Sequence, residues 1–313
     1  MSDAILTPEP STVSPALLRA YTHLEHGDSV LVTDWERTGP HDFSLRIDWP
    51  AVQEDLAYDP RVLAQTIRQS GLIVAHAEYD VPRTHHTVLS ALTITIDPDF
   101  RVPRGRPSSL EVRTTVREAL KGRRTTGSLL MDFRILRDDV EVVRSKADFS
   151  CVSPAAYRRL RGPRHTVDWG GWPVPPPVAP ELVGRHSSTD VALAHGDRPH
   201  RWILRNNTDN HLLFDHPVDH VPGLALLEAA DQAVHAFLAP EGLTVTGIDA
   251  AYERYVEFAR PCWIEAESLP SPGPGRKAVR IVGRQDGKPA VRIVFTGPGP
   301  RRDPGREGRR LTG

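Results

Sequence analysis

The sequence predicts an α+β protein built from two similar halves, each with one long helix packed against an antiparallel sheet. Three observations lead to this prediction. Runs of alternating apolar and polar residues dominate the chain, two long apolar helical patterns interrupt them, and the same order of patterns recurs after a proline-rich stretch. At 313 residues the chain is long enough for two ordinary domains with substantial cores.

The elements of the first half follow a lead-in, residues 1–27, that shows no regular pattern. The segment from Val30 to Pro50 predicts two strands around a Gly-Pro turn. The next segment predicts a helix from Asp59, its N-cap, to about Tyr79, because a proline follows the cap and the apolar residues keep helical spacing. Residues 87–152 then alternate as an antiparallel strand series does, which completes a first domain at 28–155.

The second half begins after a linker at residues 156–180. The linker carries the run W-P-V-P-P-P-V-A-P, which predicts a stiff polyproline II spacer. A second helix, from Pro222 to about Leu238, then echoes the first, and strand-like runs follow it again. These patterns define a second domain at 181–298, whereas the tail at 299–313 is rich in Arg, Gly and Pro and is expected to be disordered.

The composition excludes several classes of function. A net charge of −1 and a pI near 6.9 argue against a broad surface for nucleic acid or an anionic membrane. No apolar run approaches the roughly 20 residues that span a bilayer, and the first residues lack a secretory signal pattern, so we expect a cytoplasmic protein. Cys151 and Cys262 have no metal-ligand spacing, and we expect them to be buried and reduced.

Both predicted helices carry a polar stripe at positions i, i+3 and i+4 on an otherwise apolar surface. In the second helix the stripe consists of Glu228, Asp231 and Gln232, and in the first helix Gln65 and Arg68 occupy matching places. On an isolated helix such a stripe is a solvated face. On a helix wrapped by a sheet, charges are costly unless they are paired or used, and neighbouring carboxyls can raise each other's pKa. Glu228 is therefore a candidate proton donor or base.

The loop before the second helix, F-D-H-P-V-D-H-V-P-G at 214–223, holds two histidines around a proline. The order of a loop histidine, a P-G turn and the helix carboxylate Glu228 resembles the 3-hydroxyacyl-carrier-protein dehydratases of the hotdog fold. In those enzymes a loop histidine and a helix carboxylate face one another across a subunit interface. The resemblance implies that the catalytic histidine is either His216 or His220.

A closer resemblance is to the A-factor biosynthesis (AfsA-like) hotdog family of γ-butyrolactone synthases. It rests on the histidine loop followed by L-L-E-A-A, on L-V-T-D-W-E-R-T-G and L-A-Q-T-I-R-Q-S-G-L in the first half, and on V-P-P-P-V-A-P-E-L-V-G-R after the linker, and it covers roughly residues 28–298. It implies a tandem hotdog fold. It also implies condensation of a β-ketoacyl thioester with the hydroxyl of dihydroxyacetone phosphate.

Two positions depart from the family pattern. Gln65 stands where the family usually has Glu, and Asp231 stands where it usually has Arg. Gln65 can form hydrogen bonds but cannot act as a base, and Asp231 would repel a phosphate. Three explanations stay open: Arg68, at the equivalent turn of the first helix, binds the anion; the acceptor carries no phosphate; or this chain has lost the family reaction.

Acyl transfer assigns a role to each candidate residue. His216 or His220 would deprotonate the acceptor hydroxyl while Glu228 orients it, and backbone N–H groups at the start of the second helix would polarise the thioester carbonyl. This mechanism requires the loop histidines to lie against the carboxyl-bearing face of that helix. The acyl chain is expected in an apolar tunnel, and the candidate substrate-binding residues are Arg68, Gln65, Asp231, Gln232 and Gly223.

Other functions remain possible at this point. The same residues would suit a hotdog dehydratase or thioesterase, and Gln65 and Asp231 would also suit a non-catalytic acyl-ligand-binding regulator. The expected partners are an acyl thioester, carried by acyl carrier protein or coenzyme A, and a small hydroxylated acceptor. No cofactor is expected, because the chain lacks a P-loop, a dinucleotide-binding motif and an H-E-x-x-H motif. His216 and His220 stand near Asp215 and Asp219, but no metal is expected there, because the hotdog enzymes that the loop resembles use none. A monomer, acting as a pseudo-dimer of its halves, and a homodimer both stay open.

Overall fold

Twelve antiparallel strands form one continuous sheet in the computed structural model, which describes residues 13–52, 56–121 and 126–299. The first twelve residues and the predicted tail beyond residue 299 lie outside these ranges. The strands of the first half are β1 (Val32–Arg37), β2 (Asp42–Trp49), β3 (His86–Ile96), β4 (Ser108–Lys121), β5 (Thr126–Arg137) and β6 (Val140–Val152). Those of the second half are β7 (Leu193–His195), β8 (Arg201–Leu204), β9 (Gly247–Tyr252), β10 (Cys262–Leu269), β11 (Arg276–Gln285) and β12 (Lys288–Pro298).

The strand order shows that the second half repeats the first. The order across the sheet is β1-β2-β4-β5-β6-β3-β9-β12-β11-β10-β8-β7. The six strands of the second half therefore follow the order of their first-half equivalents in reverse. The halves join edge to edge where β3 pairs with β9, and they are therefore related by an approximate two-fold axis. This arrangement confirms the predicted tandem hotdog.

Each half wraps one long helix, as predicted. The helices of the described residues are α1 (Pro15–Thr22), α2 (Pro60–Ile73), α3 (Pro154–Arg161) and α4 (Gly223–Leu238). The Asp59 side chain accepts the N–H of Arg61 at 2.8 Å and caps α2, which continues into one π-helical turn at Val74–Glu78. Both α2 and α4 are buried along most of their length, because the sheet covers them.

The same hydrogen bonds recur on the two central helices. Gln69 Oε1 accepts the N–H of Leu31 at 2.8 Å, and Gln232 Oε1 accepts the N–H of Ala192 at 2.8 Å. The two amide nitrogens also donate to backbone carbonyls, at 2.8 Å and 2.7 Å respectively. Each glutamine thus ties its helix to the segment that leads into the first strand of its half. These bonds support the equivalence of Gln65 with Glu228, one turn earlier on each helix.

Two segments expected to be irregular are structured. The lead-in at 1–27 contains α1, and the linker at 156–180 overlaps α3. Both helices start with a Ser-Pro pair that supplies the cap and the first residue. The proline-rich spacer packs against the second half, because Trp172 is buried and stacks on Phe258 with ring centroids 4.1 Å apart.

Two expectations from composition can be compared with the structure. Cys151 and Cys262 are buried free thiols, and burial raises their pKa values to about 11 and about 12. Within the described ranges, none of the helices combines the length and the apolar character needed to cross a bilayer.

Candidate active site

A cavity of about 930 Å³ lies between α2, the histidine loop and the first-half sheet. Its size falls within the roughly 300–1,000 Å³ that small-molecule sites occupy. One part is apolar and is lined by Gly71, Leu72, Leu92, Phe133 and Phe149. The other part is polar and is lined by His23, Gln65, Arg68, His216, His220 and Tyr157.

Each loop histidine is oriented by the aspartate that precedes it. Nδ1 of His216 lies 3.0 Å from Oδ2 of Asp215, and Nδ1 of His220 lies 2.7 Å from Oδ1 of Asp219. Because a carboxylate only accepts hydrogen bonds, Nδ1 of each ring carries the proton and Nε2 holds a lone pair. Two His–Asp dyads, each able to act as a general base, therefore line one cavity.

Helix α3 supports the dyad of His220. Tyr157 donates its hydroxyl proton to Asp219 at 2.7 Å, and Arg161 Nε donates to the same carboxylate at 2.8 Å. Burial by itself would raise the pKa of Asp219, but the hydrogen bonds from His220, Arg161 and Tyr157 lower it below the usual value. Asp219 stays ionised and holds His220 in one tautomer.

The segment after α1 supports the dyad of His216. Asp215 accepts the backbone N–H groups of Glu25 at 2.6 Å and His26 at 3.1 Å. Burial opposes ionisation here too, but the hydrogen bonds from Glu25, His216 and His26 lower the pKa of Asp215. The region predicted as a lead-in is therefore part of the site.

Four arginines line the cavity, and Arg68 is the least exposed of them, because Arg83, Arg158 and Arg254 are exposed. Nη1 of Arg68 donates to the Thr22 carbonyl at 3.1 Å and to Gln65 Oε1 at 3.4 Å, and Arg68 forms no ion pair with any residue of the described ranges. Burial lowers the pKa of Arg68 to about 10, against the influence of Asp215. A guanidinium without a carboxylate partner, at the wall of a cavity, is suited to binding an anionic ligand.

Glu228 does not line this cavity, so the expected arrangement of Glu228 opposite the loop imidazoles is not observed. Its carboxylate accepts two hydrogen bonds from Arg185, at 2.7 Å and 2.9 Å, and Asp231 accepts a third at 2.9 Å. The side chains of Arg185 and Glu228 are 0% and 1% exposed. Asp231 and Gln232, predicted to bind substrate, also lie outside the cavity, whereas Gly223 lines it.

The two-fold relation explains this difference. The loop of each half faces the helix of the other half, so the histidine loop faces Gln65 on α2 rather than Glu228 on α4. The described residues directly before α2, 56–59, face α4 and contain no histidine. The space there is a void of only about 20 Å³ beside Tyr58 and Arg61. One site therefore has imidazoles without a helix carboxylate, and the other has carboxylates that Arg185 neutralises.

The start of α4 supplies backbone donors to the cavity. Gly223 and Leu224 line it, and no side chain caps the helix at Pro222. The first N–H groups of a helix have no acceptor within the helix and carry partial positive charge. A Cβ at Gly223 would lie 3.2 Å from the ring of Tyr252, so a larger residue would require that ring to move. These N–H groups are suited to stabilising an oxyanion.

The sequence interpretation missed four residues of this region: His23, Tyr157, Arg161 and Arg185. Tyr157 and Arg161 have helical i, i+4 spacing behind a Ser-Pro start, which is a visible signal for a helix with one functional face. His23 follows α1 and was treated as part of the irregular lead-in. Arg185 ends one of the quoted family motifs, but no spacing along the chain links it to Glu228.

Comparisons with known proteins place the chain among proteins of one kind. The model of the A-factor biosynthesis hotdog domain matches residues 7–153 and 172–297. A 2-oxo-3-(phosphooxy)propyl 3-oxoalkanoate synthase of Streptomyces virginiae is 35% identical over 273 residues, which cover 86% of this chain and 92% of that protein. The protein of that name from Streptomyces griseus is 31% identical over 285 residues, covering 88% and 93%. A solved structure described as an oleoyl thioesterase of Lactobacillus plantarum has a TM-score of 0.54 at 12% identity, covers 82% of this chain and 96% of that chain, and shows likeness of fold alone.

Proposed function

Since this chain belongs to the A-factor biosynthesis hotdog family, we propose that it transfers a β-ketoacyl group from a thioester to the hydroxyl of dihydroxyacetone phosphate. The relatives are named for the ester of these two components. The observation that carries the proposal is the unpaired Arg68 in the same cavity as two His–Asp dyads. The acyl group would arrive on acyl carrier protein or coenzyme A in the cytoplasm.

The proposed reaction needs one base and one oxyanion site. Nε2 of His216 takes the hydroxyl proton, and the acceptor oxygen attacks the thioester carbonyl carbon. The N–H groups of Gly223 and Leu224 stabilise the oxyanion of the tetrahedral intermediate. The intermediate then collapses: the C–S bond breaks and the new ester C–O bond remains. The leaving thiolate takes the proton from the imidazole. We assign the base to His216 because its partner Asp215 binds the backbone of Glu25 and His26, a few residues beyond the Thr22 carbonyl that Arg68 binds, so this dyad lies on the Arg68 side of the cavity. His220 lies closer along the chain to the oxyanion site.

The test of this proposal is whether release of free thiol depends on the acceptor. The protein is incubated with a β-ketoacyl thioester, with and without dihydroxyacetone phosphate, and the thiol and the ester are quantified. Thiol release that requires the acceptor and yields the phosphorylated ester supports acyl transfer. Equal release without the acceptor would instead indicate a thioesterase, and binding of the thioester without any release would indicate a regulator.

Arg68 should determine the affinity for the phosphorylated acceptor. Replacing Arg68 with Gln removes charge-assisted hydrogen bonds to phosphate, so we expect the KM for dihydroxyacetone phosphate to rise roughly 10- to 100-fold. Arg68→Lys should cause a smaller rise, because the charge remains. Steady-state kinetics with unphosphorylated dihydroxyacetone provide the control, since its KM should not change. An equal rise for both acceptors would mean that Arg68 does not bind the phosphate.

Gly71 should limit how far the acyl chain enters the apolar part of the cavity. A Cβ at this position would lie 3.4 Å from Phe133 and 3.5 Å from Phe149, so the larger side chain of Gly71→Leu would enter the apolar space. We expect kcat/KM for long-chain thioesters to fall at least about tenfold relative to short-chain ones. The measurement is kcat/KM over a series of chain lengths, with Gly71→Ala as the graded control. A uniform loss at all lengths would contradict this assignment.

A further inference from the structure

Two histidines form a hydrogen-bonded pair at one side of the cavity. Nε2 of His23 lies 2.7 Å from Nε2 of His76, and the ring centroids lie 4.8 Å apart. Nδ1 of His76 lies 2.7 Å from the carbonyl oxygen of Val81. Since a carbonyl only accepts, Nδ1 of His76 carries the proton and its Nε2 holds a lone pair. His23 must then donate from Nε2, which leaves its Nδ1 with a lone pair.

Both rings are neutral in the free protein. Burial, followed by the charges of His76, Arg68, His216 and His86, lowers the pKa of His23 to about 3. Burial also lowers the pKa of His76. Nδ1 of His23 has no hydrogen-bond partner in the part of the chain that the structure describes, although His23 lines the cavity.

His23 and Arg68 flank the same space. Arg68 donates to the carbonyl oxygen of Thr22, the residue directly before His23, at 3.1 Å. Arg68 also acts electrostatically on the His23 ring, so an anion on its guanidinium would lie close to that ring. Nδ1, the ring nitrogen that His76 does not bind, would then present its lone pair to the anion, and two lone pairs repel. A proton on Nδ1 converts this repulsion into a charge-assisted hydrogen bond. The bond from Nε2 to His76 is kept in the imidazolium form, because Nε2 donates in both forms.

We propose that an anion bound by Arg68 is also held by His23, which takes up one proton from solvent on Nδ1 as the anion enters. The inference rests on the proposed function in one respect, since it names the acceptor phosphate as the anion. His76 is then a positioning residue that fixes which nitrogen of His23 faces the ligand. Tyr21, stacked on His76 with ring centroids 6.1 Å apart, and the charges of Arg83 and His85, which also lower the pKa of His76, are further polar groups around this pair.

Proton uptake is measured by calorimetry in buffers of different ionisation enthalpy, at about pH 8, where the phosphate is already a dianion. The ligands are dihydroxyacetone phosphate, glycerol 3-phosphate and inorganic phosphate. We expect net proton uptake in the wild type and none in His23→Gln, with affinity about tenfold weaker. Wherever protons are taken up, wild-type affinity should fall with rising pH and then level off above the pKa of His23 in the complex, whereas that of His23→Gln should stay flat.

His165→Gln is the matched control, because His165 lines the same cavity but is not among the groups that act on His23, so its loss should leave the uptake unchanged. Nitrogen NMR of ¹⁵N-histidine wild type adds a readout that needs no substitution at His23: one Nδ1 resonance should become protonated when the anion is added. Any one of three results overturns the inference: proton uptake that persists in His23→Gln, no proton uptake in the wild type, or no binding of any anion. Proton uptake without acceptor-dependent thiol release would contradict the proposed function and leave this inference standing.

Discussion

Replacing His216 with Asn should lower kcat for acyl transfer by roughly 10²- to 10⁴-fold, the range that a positioned general base contributes. The imidazole is half-buried at the cavity wall, and its Nε2 is the free base because Asp215 binds Nδ1. Rapid-quench measurement of ester formation under saturating substrates isolates this step from binding. The KM for the acceptor should change little, since Arg68 is untouched.

Variants of the neighbouring residues test which dyad acts as the base. Asp215→Asn should lower kcat by a smaller factor than His216→Asn, because it disturbs the tautomer but keeps the ring. His220→Asn should raise the KM for the thioester more than it lowers kcat, since His220 lies toward the start of α4. If His220→Asn abolishes turnover and His216→Asn does not, the roles of the two dyads are exchanged. If neither variant affects turnover, the proposed mechanism is wrong.

Removal of Arg185 should have the largest effect on stability. Its guanidinium is fully buried and binds both Glu228 and Asp231, so Arg185→Met would remove the shared guanidinium partner of two buried carboxylates. Loss of one partner from a buried ion pair costs about 3–5 kcal/mol, and we expect that decrease in the free energy of unfolding. Denaturant titration followed by circular dichroism measures it.

Two comparisons separate this effect from a general loss of packing. The triple variant Arg185→Met/Glu228→Gln/Asp231→Asn removes all the buried charges together and should recover most of the lost stability. Arg37→Met breaks an exposed pair with Glu78, in which the arginine is 47% exposed, and should cost less than about 1 kcal/mol. A triple variant no more stable than Arg185→Met alone would show that packing around Arg185, and not its charge, is what matters.

The sequence predicted the fold well because periodicity reports local structure. Alternation marked the strands, the Asp59 cap and helical spacing marked α2, and the second helix was recognised as its repeat. The histidine loop and Arg68 were also identified as parts of one site. These features depend on neighbours along the chain, or on a helix face whose burial follows from its own residues.

The sequence patterns do not predict which of the two long helices the histidine loop faces. Glu228 follows the histidines closely in sequence, but the two-fold axis sets the loop against Gln65, more than a hundred residues away. Arg185 contacts Glu228 only through tertiary packing, so the spacing of the two residues along the chain does not predict the ion pair. The contributions of α1 and α3 were missed because helices of only 8 residues give weak periodic signals.

Covalent fusion of the halves has a consequence for how such a site can change. In a dimer of identical chains, every substitution is copied into both clefts, so neither can be closed without closing the other. Here the two halves belong to one chain and pair through β3 and β9, so each half can be substituted independently of the other. An arginine can therefore fill the cleft at Glu228 and serve a structural role there, while the equivalent cleft in the other half stays open.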